Sequence, residues 1–456
     1  MAAANQRTPS QLTKIGVGGF KSLRDDQAVE LRPLTILAGA NSAGKSSLLQ
    51  PLLLLKQTLE EGYDPGALSL NGPNVRFTEM DQLFWRPKAA SERSHEFRVK
   101  LTADAGIEVA LSFAERDRKP YIVEMRQTVE GANLTLREGM TDGEIRSILP
   151  PVYQNFLSRS PFRDSSLSVG RDRWLLRVVA RLTEPRRGAP PGFAPSQWSL
   201  PGPADELRED ILSTIYLPGL RGEPARNYPL AAVGTRFPGT FHKYAASIIA
   251  NWKETEEGEA RLEGLAEDLR HLELAWKVEA RPLDAAQVEV KVARLPRSQV
   301  GGAFDLVNIA DVGFGVSQVL PVLVALRVAR EGQLVYLEQP EIHLHPNAQV
   351  RLGEVIADAA KRGVRVIVET HSSLLLLAVQ ARVAQGDLAA EAVGLHWFSR
   401  DEDGATTITS GSLTEAGEFG TWPEDFADIE LRLKQRFIRA AATHDQDPDD
   451  LTPPSH

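Results

Sequence analysis

Gly39-Ala40-Asn41-Ser42-Ala43-Gly44-Lys45-Ser46 fits the phosphate-binding loop pattern G-x-x-x-x-G-K-[ST] with no mismatch. Just upstream, Leu34-Thr35-Ile36-Leu37-Ala38 predicts a short buried strand, and Ser47-Leu48-Leu49-Gln50 opens an apolar run of helical length. Strand, loop and helix together are the context the motif needs. Glycines let successive backbone N–H groups point inward, making an anion nest at the positive end of a helix. On this reading Gly39, Asn41, Ser42, Ala43, Gly44 and Ser47 belong to the cradle. Lys45 reaches the β- and γ-phosphates, and the Ser46 hydroxyl ligates Mg²⁺. The bland alternative is a glycine-rich turn that matches by chance; the agreement of all three elements weighs against it. The stretch predicts a nucleoside triphosphate site.

The chain has 456 residues, 42% hydrophobic and 25% charged, the composition of an ordinary soluble globular protein. That length suits two domains, or one large domain with an insertion. With 0 cysteines, disulfides and thiolate metal sites are excluded, which fits a reducing, cytoplasmic setting. The opening residues MAAANQRTPS lack the apolar core of a signal peptide, and no apolar run approaches bilayer length. A formal net charge of -9 means that any nucleic-acid contact must come from a local basic surface or from a partner.

Working outward, 1–10 reads as a disordered lead, and 12–19 and 28–31 alternate as strands. The helix after the loop is expected out to about residue 61, with a bend at Pro51. The first part of the nucleotide-binding head is then 11–95. Strand-like runs at 97–101, 107–113 and 121–125 predict an antiparallel β subdomain over 96–139. A mixed, partly helical insertion comes next over 140–285, with Pro- and Gly-rich loop at 183–204. Arg163, Arg171, Arg173, Arg177, Arg181, Arg186 and Arg187 meet few acids there. Such a run is either a solvated face or a surface for nucleic acid or an acidic partner. A return to β-α-β alternation at 310–371 predicts that this part and the loop strand share one parallel sheet, so 286–380 completes the head. A small C-terminal domain over 381–440 and a disordered acidic tail over 441–456 close the chain.

The second half of the site begins with Gln333-Leu-Val-Tyr-Leu-Glu338, an apolar strand ending in a carboxylate. A carboxylate at a buried strand's end beside a phosphate loop holds Mg²⁺ directly or through water, and Glu338 is assigned that role over a helix cap. His343 and His345 share a face if extended, but zinc would need a third ligand, so packing or hydrogen bonding is favoured. The next strand ends in Glu369-Thr370-His371-Ser372, where His371 would hydrogen-bond a γ-phosphate or its attacking water, or serve structurally. Upstream, Asp311-Val-Gly-Phe-Gly-Val-Ser-Gln318 is a second glycine-containing loop feeding a helix: another anion site, or a turn capping a core helix.

In this order the four pieces resemble an ATP-binding-cassette (ABC) ATPase head. The closer resemblance is to bacterial stand-alone heads akin to the overcoming-lysogenization-defect (OLD) and recombination-type ATPases. Phe20-Lys21-Ser22-Leu23 resembles that group's opening, Gly39–Ser46 its Walker A and 312–318 its signature loop. Leu334 to His345 resembles its Walker B with the trailing PEIHLHP, and 369–372 its switch histidine. The resemblance implies an α/β P-loop NTPase fold, with ATP and Mg²⁺ sandwiched between two heads of a homodimer or higher oligomer. Lys45, Ser46, Glu338, Gln339 and His371 would act in cis, while Gly315, Ser317 and Gln318 would reach the γ-phosphate across the dimer. Two departures matter. The usual Asp-Glu pair is Glu338-Gln339, and an amide orients water but does not take its proton. Slow hydrolysis is therefore expected unless Glu341 or another acid substitutes. The signature serine is replaced by Gly313.

Three functions remain. The first is a dimeric ATP-gated switch for a separately encoded effector, most plausibly a nuclease, in phage defence or DNA maintenance, since no Toprim-like acid cluster comes after 375. The second is a DNA-stimulated recombination-repair ATPase. The third is a pseudo-ATPase scaffold. No membrane partner is expected.

Overall fold

The Leu34–Gly39 strand is buried along its whole length because both faces are covered. A computed structural model describes residues 10–86, 94–129, 131–158, 165–182, 197–295, 305–419 and 435–439. It places this strand inside a six-stranded sheet. The order is Ile215–Leu217, Leu334–Glu338, Arg365–Glu369, Leu34–Gly39, Val393–Arg400 and Thr406–Gly411. The first five strands are parallel and the last is antiparallel. Alternation along the strands splits the apolar residues between two cores. Leu37, Tyr336, Ile367 and Phe398 face one, while Leu34, Ile36, Val335, Leu337, Val366 and Val368 face the other.

The first core is closed by the Lys45–Glu60 helix, which runs through Pro51 without a break, and by a second six-stranded sheet. That sheet is antiparallel throughout, ordered Gln27–Glu30, Leu12–Gly18, Glu96–Ala103, Glu108–Arg116, Lys119–Val129, Ala132–Leu136. The β subdomain expected over 96–139 thus also takes the first two strands of the chain. A buried ion pair fastens the two sheets together. Asp210 accepts the Leu12 N–H at 2.8 Å and pairs with the Arg365 guanidinium, which in turn donates to the Leu12 carbonyl at 2.8 Å.

The second core packs the helices Phe314–Val328 and Pro346–Lys361, together with Ala245–Asn251, against the opposite face. Two expected boundaries move. The short strand Ile215–Leu217, inside the expected 140–285 insertion, forms the edge of the head sheet next to Leu334–Glu338. Residues 393–411, expected in a small separate domain, are two strands of that same sheet, because Val393–Arg400 finds the open side of Leu34–Gly39. Its burial pattern is almost continuous, as a central parallel strand requires.

Three of the four described arginines of the basic segment are in ion pairs, while Arg181 is exposed. Arg171 pairs with Asp64 and Glu138, Arg173 with Asp172, and Arg177 with Asp172 and Asp205. Residues 1–9, most of the 183–204 loop, Arg163, Arg186, Arg187 and the acidic tail lie outside the described residues. Among the described residues no helix is long and apolar enough to cross a membrane.

Candidate functional site

The phosphate loop folds as its glycines require. Gly39 and Gly44 have φ of 143° and 99°, and Ser42 joins them in the left-handed region at 59°. A Cβ on Gly44 would stand 2.3 Å from the Thr406 Oγ1 and 2.6 Å from the Ser22 Oγ. That close approach is built by the C-terminal strand pair. Thr406 donates to the Ala43 carbonyl at 2.8 Å, and the Arg400 Nε–H donates to the Ser42 carbonyl at 2.6 Å. The loop is therefore clamped from a segment some 360 residues later.

Lys45 opens the helix, buried, with its ammonium donating to the Gly39 and Ala40 carbonyls at 3.1 and 2.9 Å. Burial lowers its pKa, against the fields of Glu369 and Glu341. The ammonium thus folds back onto its own loop, at the mouth of a cleft of about 430 Å³. The lining combines residues 41–47 with Lys21, Gln50, Gln339, Glu369, His371 and Arg400. Phosphate loop, Gln339 and His371 converge from three separate stretches.

Glu369 is the residue that sequence reasoning passed over. Its carboxylate accepts the Ser46 hydroxyl, with the two oxygens at 2.9 and 3.0 Å. The register of the parallel strands sets Glu369 directly opposite Glu338. The Tyr336 hydroxyl lies between them, 3.0 Å from Glu338 and 3.1 Å from Glu369. One hydroxyl has one proton to give, so two buried carboxylates share too few donors. Burial, then the charge of Glu338, raises the Glu369 pKa to about 7. Burial likewise raises that of Glu338, whose other partners are the Tyr216 hydroxyl at 3.1 Å and the Gly219 N–H at 3.2 Å. A hydroxyl and two carboxylates short of positive charge form a donor set that suits a hard divalent cation. Such a set would fit Mg²⁺, with Ser46 and Glu369 placed to hold it and Glu338 one hydrogen bond behind. Of the expected pair Ser46 and Glu338, Ser46 is hydrogen-bonded to Glu369, while Glu338 accepts from Tyr336, Tyr216 and the Gly219 N–H. A signal was present in sequence: a carboxylate at the end of a second buried strand, as for Glu338.

Gln339 occupies the turn after Glu338 with φ of 43°, a strained value for a residue with a side chain. Its N–H donates to the Glu369 carbonyl at 2.7 Å, and Arg221 donates to the carbonyls of Glu338 and Gln339 at 2.9 and 3.3 Å. Glu341 is not among the residues lining the cleft, yet its charge acts on Lys45 and one of its carboxylate oxygens is buried without a partner. The other carboxylate oxygen accepts the Thr370 hydroxyl at 2.7 Å and the His371 N–H at 2.9 Å, so it braces the switch-histidine loop from behind. His371 lines the cleft, and burial followed by the Lys45 charge lowers its pKa, keeping the ring neutral at pH 7.

The signature region splits. Gly313 and Phe314 are exposed, Phe314 at 50%. Ser317 and Gln318, expected to face a second subunit, are buried and turned into their own chain. The Ser317 hydroxyl donates to the Phe314 carbonyl, and the Gln318 amide to the Gly222 carbonyl, both at 2.9 Å. A helix's first turn has one exposed face, and at this start Gly313 and Phe314 occupy it. His343 packs its ring against Phe314 at 5.7 Å, and His345 caps the Pro346–Lys361 helix by accepting from the Asn347 N–H.

A parallel sheet carrying the phosphate loop, an acidic strand and a switch-histidine strand now stands against an antiparallel sheet. The fold is that of an α/β P-loop NTPase, a parallel sheet with the phosphate loop between strand and helix. Among known proteins, residues 245–378 of the head match the family described as "AAA domain, putative AbiEii toxin, Type IV TA system". A solved SMC head bound to the C-winged helix domain of ScpA is similar at a TM-score of 0.48 and 13% identity, covering 89% of this chain and 99% of that one. An Smc head with a coiled coil and joint from Pyrococcus yayanosii gives a TM-score of 0.46 at 10% identity, covering 93% and 100%. The SMC head from Thermotoga maritima gives 0.39 at 12%, covering 88% and 98%. No curated protein matches the sequence.

Proposed function

We propose that this head binds Mg²⁺-ATP in the Lys45–Ser46–Glu369 cleft, hydrolyses it slowly, and uses the bound state as a dimeric switch for a separately encoded effector. The observation that carries the reading is Gln339. Its side chain lines the cleft where the resemblance calls for a general-base carboxylate, and an amide cannot accept water's proton near neutral pH. Glu369 is the nearest acid in the cleft, but it is engaged by Ser46. Losing a general base costs a factor of about 10² to 10⁴ in rate, so ATP would act more as a ligand than as fuel. Exposed Gly313 and Phe314, rather than Ser317 or Gln318, supply the surface with which a second copy would close the cleft. Gly315 would contribute backbone there.

An effector that is a nuclease, in phage defence or DNA maintenance, is the partner this reading favours. The ion pairs of Arg171, Arg173 and Arg177 weigh against the DNA-stimulated alternative, since those side chains are spent inside the chain. The test is mass by light scattering with and without Mg²⁺-ATP, for wild type and Lys45→Ala. Wild type should double in mass and Lys45→Ala should not. A monomer in both conditions overturns the switch, and Mg²⁺-dependent DNA cleavage by the isolated chain overturns the separate effector.

A further inference from the structure

A second cavity, of about 530 Å³, shares no lining residue with the ATP cleft. Its walls are the 221–231 stretch, the turn at 242–244 and the first two turns of the Phe314–Val328 helix. The size is within the range of small-molecule sites.

Three features mark it as a site rather than a gap. Arg221 is only 6% exposed, yet its Nε–H has no partner. Its two terminal nitrogens donate to the carbonyls of Gln318, Glu338 and Gln339. Buried polar groups in folded proteins almost always find partners, so an unpaired guanidinium donor in a residue that lines the cavity calls for an acceptor. His242 is the second. Its Nδ1 is also buried and unpaired, and burial, then Lys243 and Arg221, pulls the ring down to about 4. A neutral imidazole offers one donor and one acceptor to whatever fills the space. Third, the charges lean one way. Lys243 is exposed and makes no ion pair among the described residues, and Glu223 is the one acid in the lining. Ser317 and Gln318 add the positive end of a 15-residue helix. The lining also includes Tyr228, Tyr244, Pro229 and Pro321.

We infer that this cavity binds a small organic anion of about mononucleotide size, its charged group on Arg221 and Lys243 and its body against Tyr228 and Tyr244. Arg221 makes the site consequential. The guanidinium that receives the anion also holds the carbonyls of Glu338 and Gln339, at the turn that aims Gln339 into the cleft. Occupancy therefore changes ATP turnover. That coupling rests on the ATP reading proposed above; the binding does not.

The two are separated by measuring binding in Lys45→Ala, whose phosphate loop is disabled. Isothermal titration uses AMP, citrate and inorganic phosphate as probes. AMP or citrate should bind at one per chain, with inorganic phosphate at least tenfold weaker. Lys243→Glu and Tyr228→Ala, each added to Lys45→Ala, should each weaken binding at least tenfold while leaving the melting temperature of the free protein unchanged. Failure of all three probes, or equal affinity in Lys243→Glu, overturns the site. Phosphate binding as tightly as AMP and citrate overturns the organic body. In protein with Lys45 intact, the bound anion should change ATP turnover at least threefold, and should not in Lys243→Glu. Binding without that change overturns the coupling alone.

Discussion

The Ser46 hydroxyl lies 2.9 Å from a carboxylate oxygen of Glu369, a residue 323 positions later in the chain. Each stretch has a local pattern of its own, a phosphate loop and a buried strand ending in a carboxylate, but neither pattern says that the two meet. The contact arises because the Arg365–Glu369 strand, not the Leu334–Glu338 strand, lies directly beside the loop strand. The metal site of the head is therefore expected to depend on Glu369 more than on Glu338. Glu369→Gln should raise the Mg²⁺ concentration needed for half-maximal ATP binding by at least about tenfold, and Glu338→Gln by less. Titration of Mg²⁺ against a fluorescent ATP analogue checks this, and the reverse order would return the metal to Glu338.

If the proposed metal site holds, the same carboxylate should make metal binding pH-dependent. Glu369 has its pKa raised from 4.5 to about 7, so the free head favours its protonated form. Stability from that proton is complete below pH 4.5 and is lost as pH rises through about 7. Mg²⁺ must displace the proton, so its affinity should climb by up to about tenfold per pH unit below that pKa and level off above it. Thermal shifts produced by Mg²⁺ at pH 6 and pH 8 measure the effect. It should be larger at pH 8, and should flatten in Glu369→Gln.

Gln339→Glu restores a carboxylate at a position that already faces the cleft. Phosphate release should rise by at least about tenfold, the low end of what a general base contributes. Lys45→Ala should remove nucleotide binding altogether. An unchanged or slower Gln339→Glu would mean that another group takes the proton.

Asp210 and Arg365 are each about a tenth exposed or less, and together they anchor the first strand of the chain. Removing either one strands a buried charge, at a cost of about 3–5 kcal/mol. Asp210→Ala and Arg365→Ala should each lower the urea midpoint, and the double variant should lose less than the sum.

Arg177→Ala should leave any affinity for DNA unchanged, because Asp172 and Asp205 already occupy that guanidinium. Its cost is expected in stability, within about 1 kcal/mol for a partly exposed pair. A gel-shift series at rising salt, run beside thermal melts, tells the two apart.

Most of the head can be read from one dimension. The phosphate loop, its helix and the two apolar strands ending in Glu338 and Glu369 are local patterns, set by period and glycine content, and each forms where its residues indicate. The 393–411 pair lies elsewhere than expected for a definite reason. A buried central strand and a strand of a separate small domain have the same apolar texture, and only pairing with Leu34–Gly39 tells them apart. The hydrogen bonds of Glu341, Ser317 and Gln318 within the chain are not legible either, because a side chain's direction depends on which neighbours claim it.

The groups proposed to meet a triphosphate are legible in the sequence alone: a nest of N–H donors, Lys45, Ser46 and the amide of Gln339. Strand order and register decide the rest, namely which carboxylate faces Ser46, what clamps the loop, and where Arg221 spends its donors. Those join residues hundreds of positions apart, and long-range pairing leaves no periodic trace in a single chain.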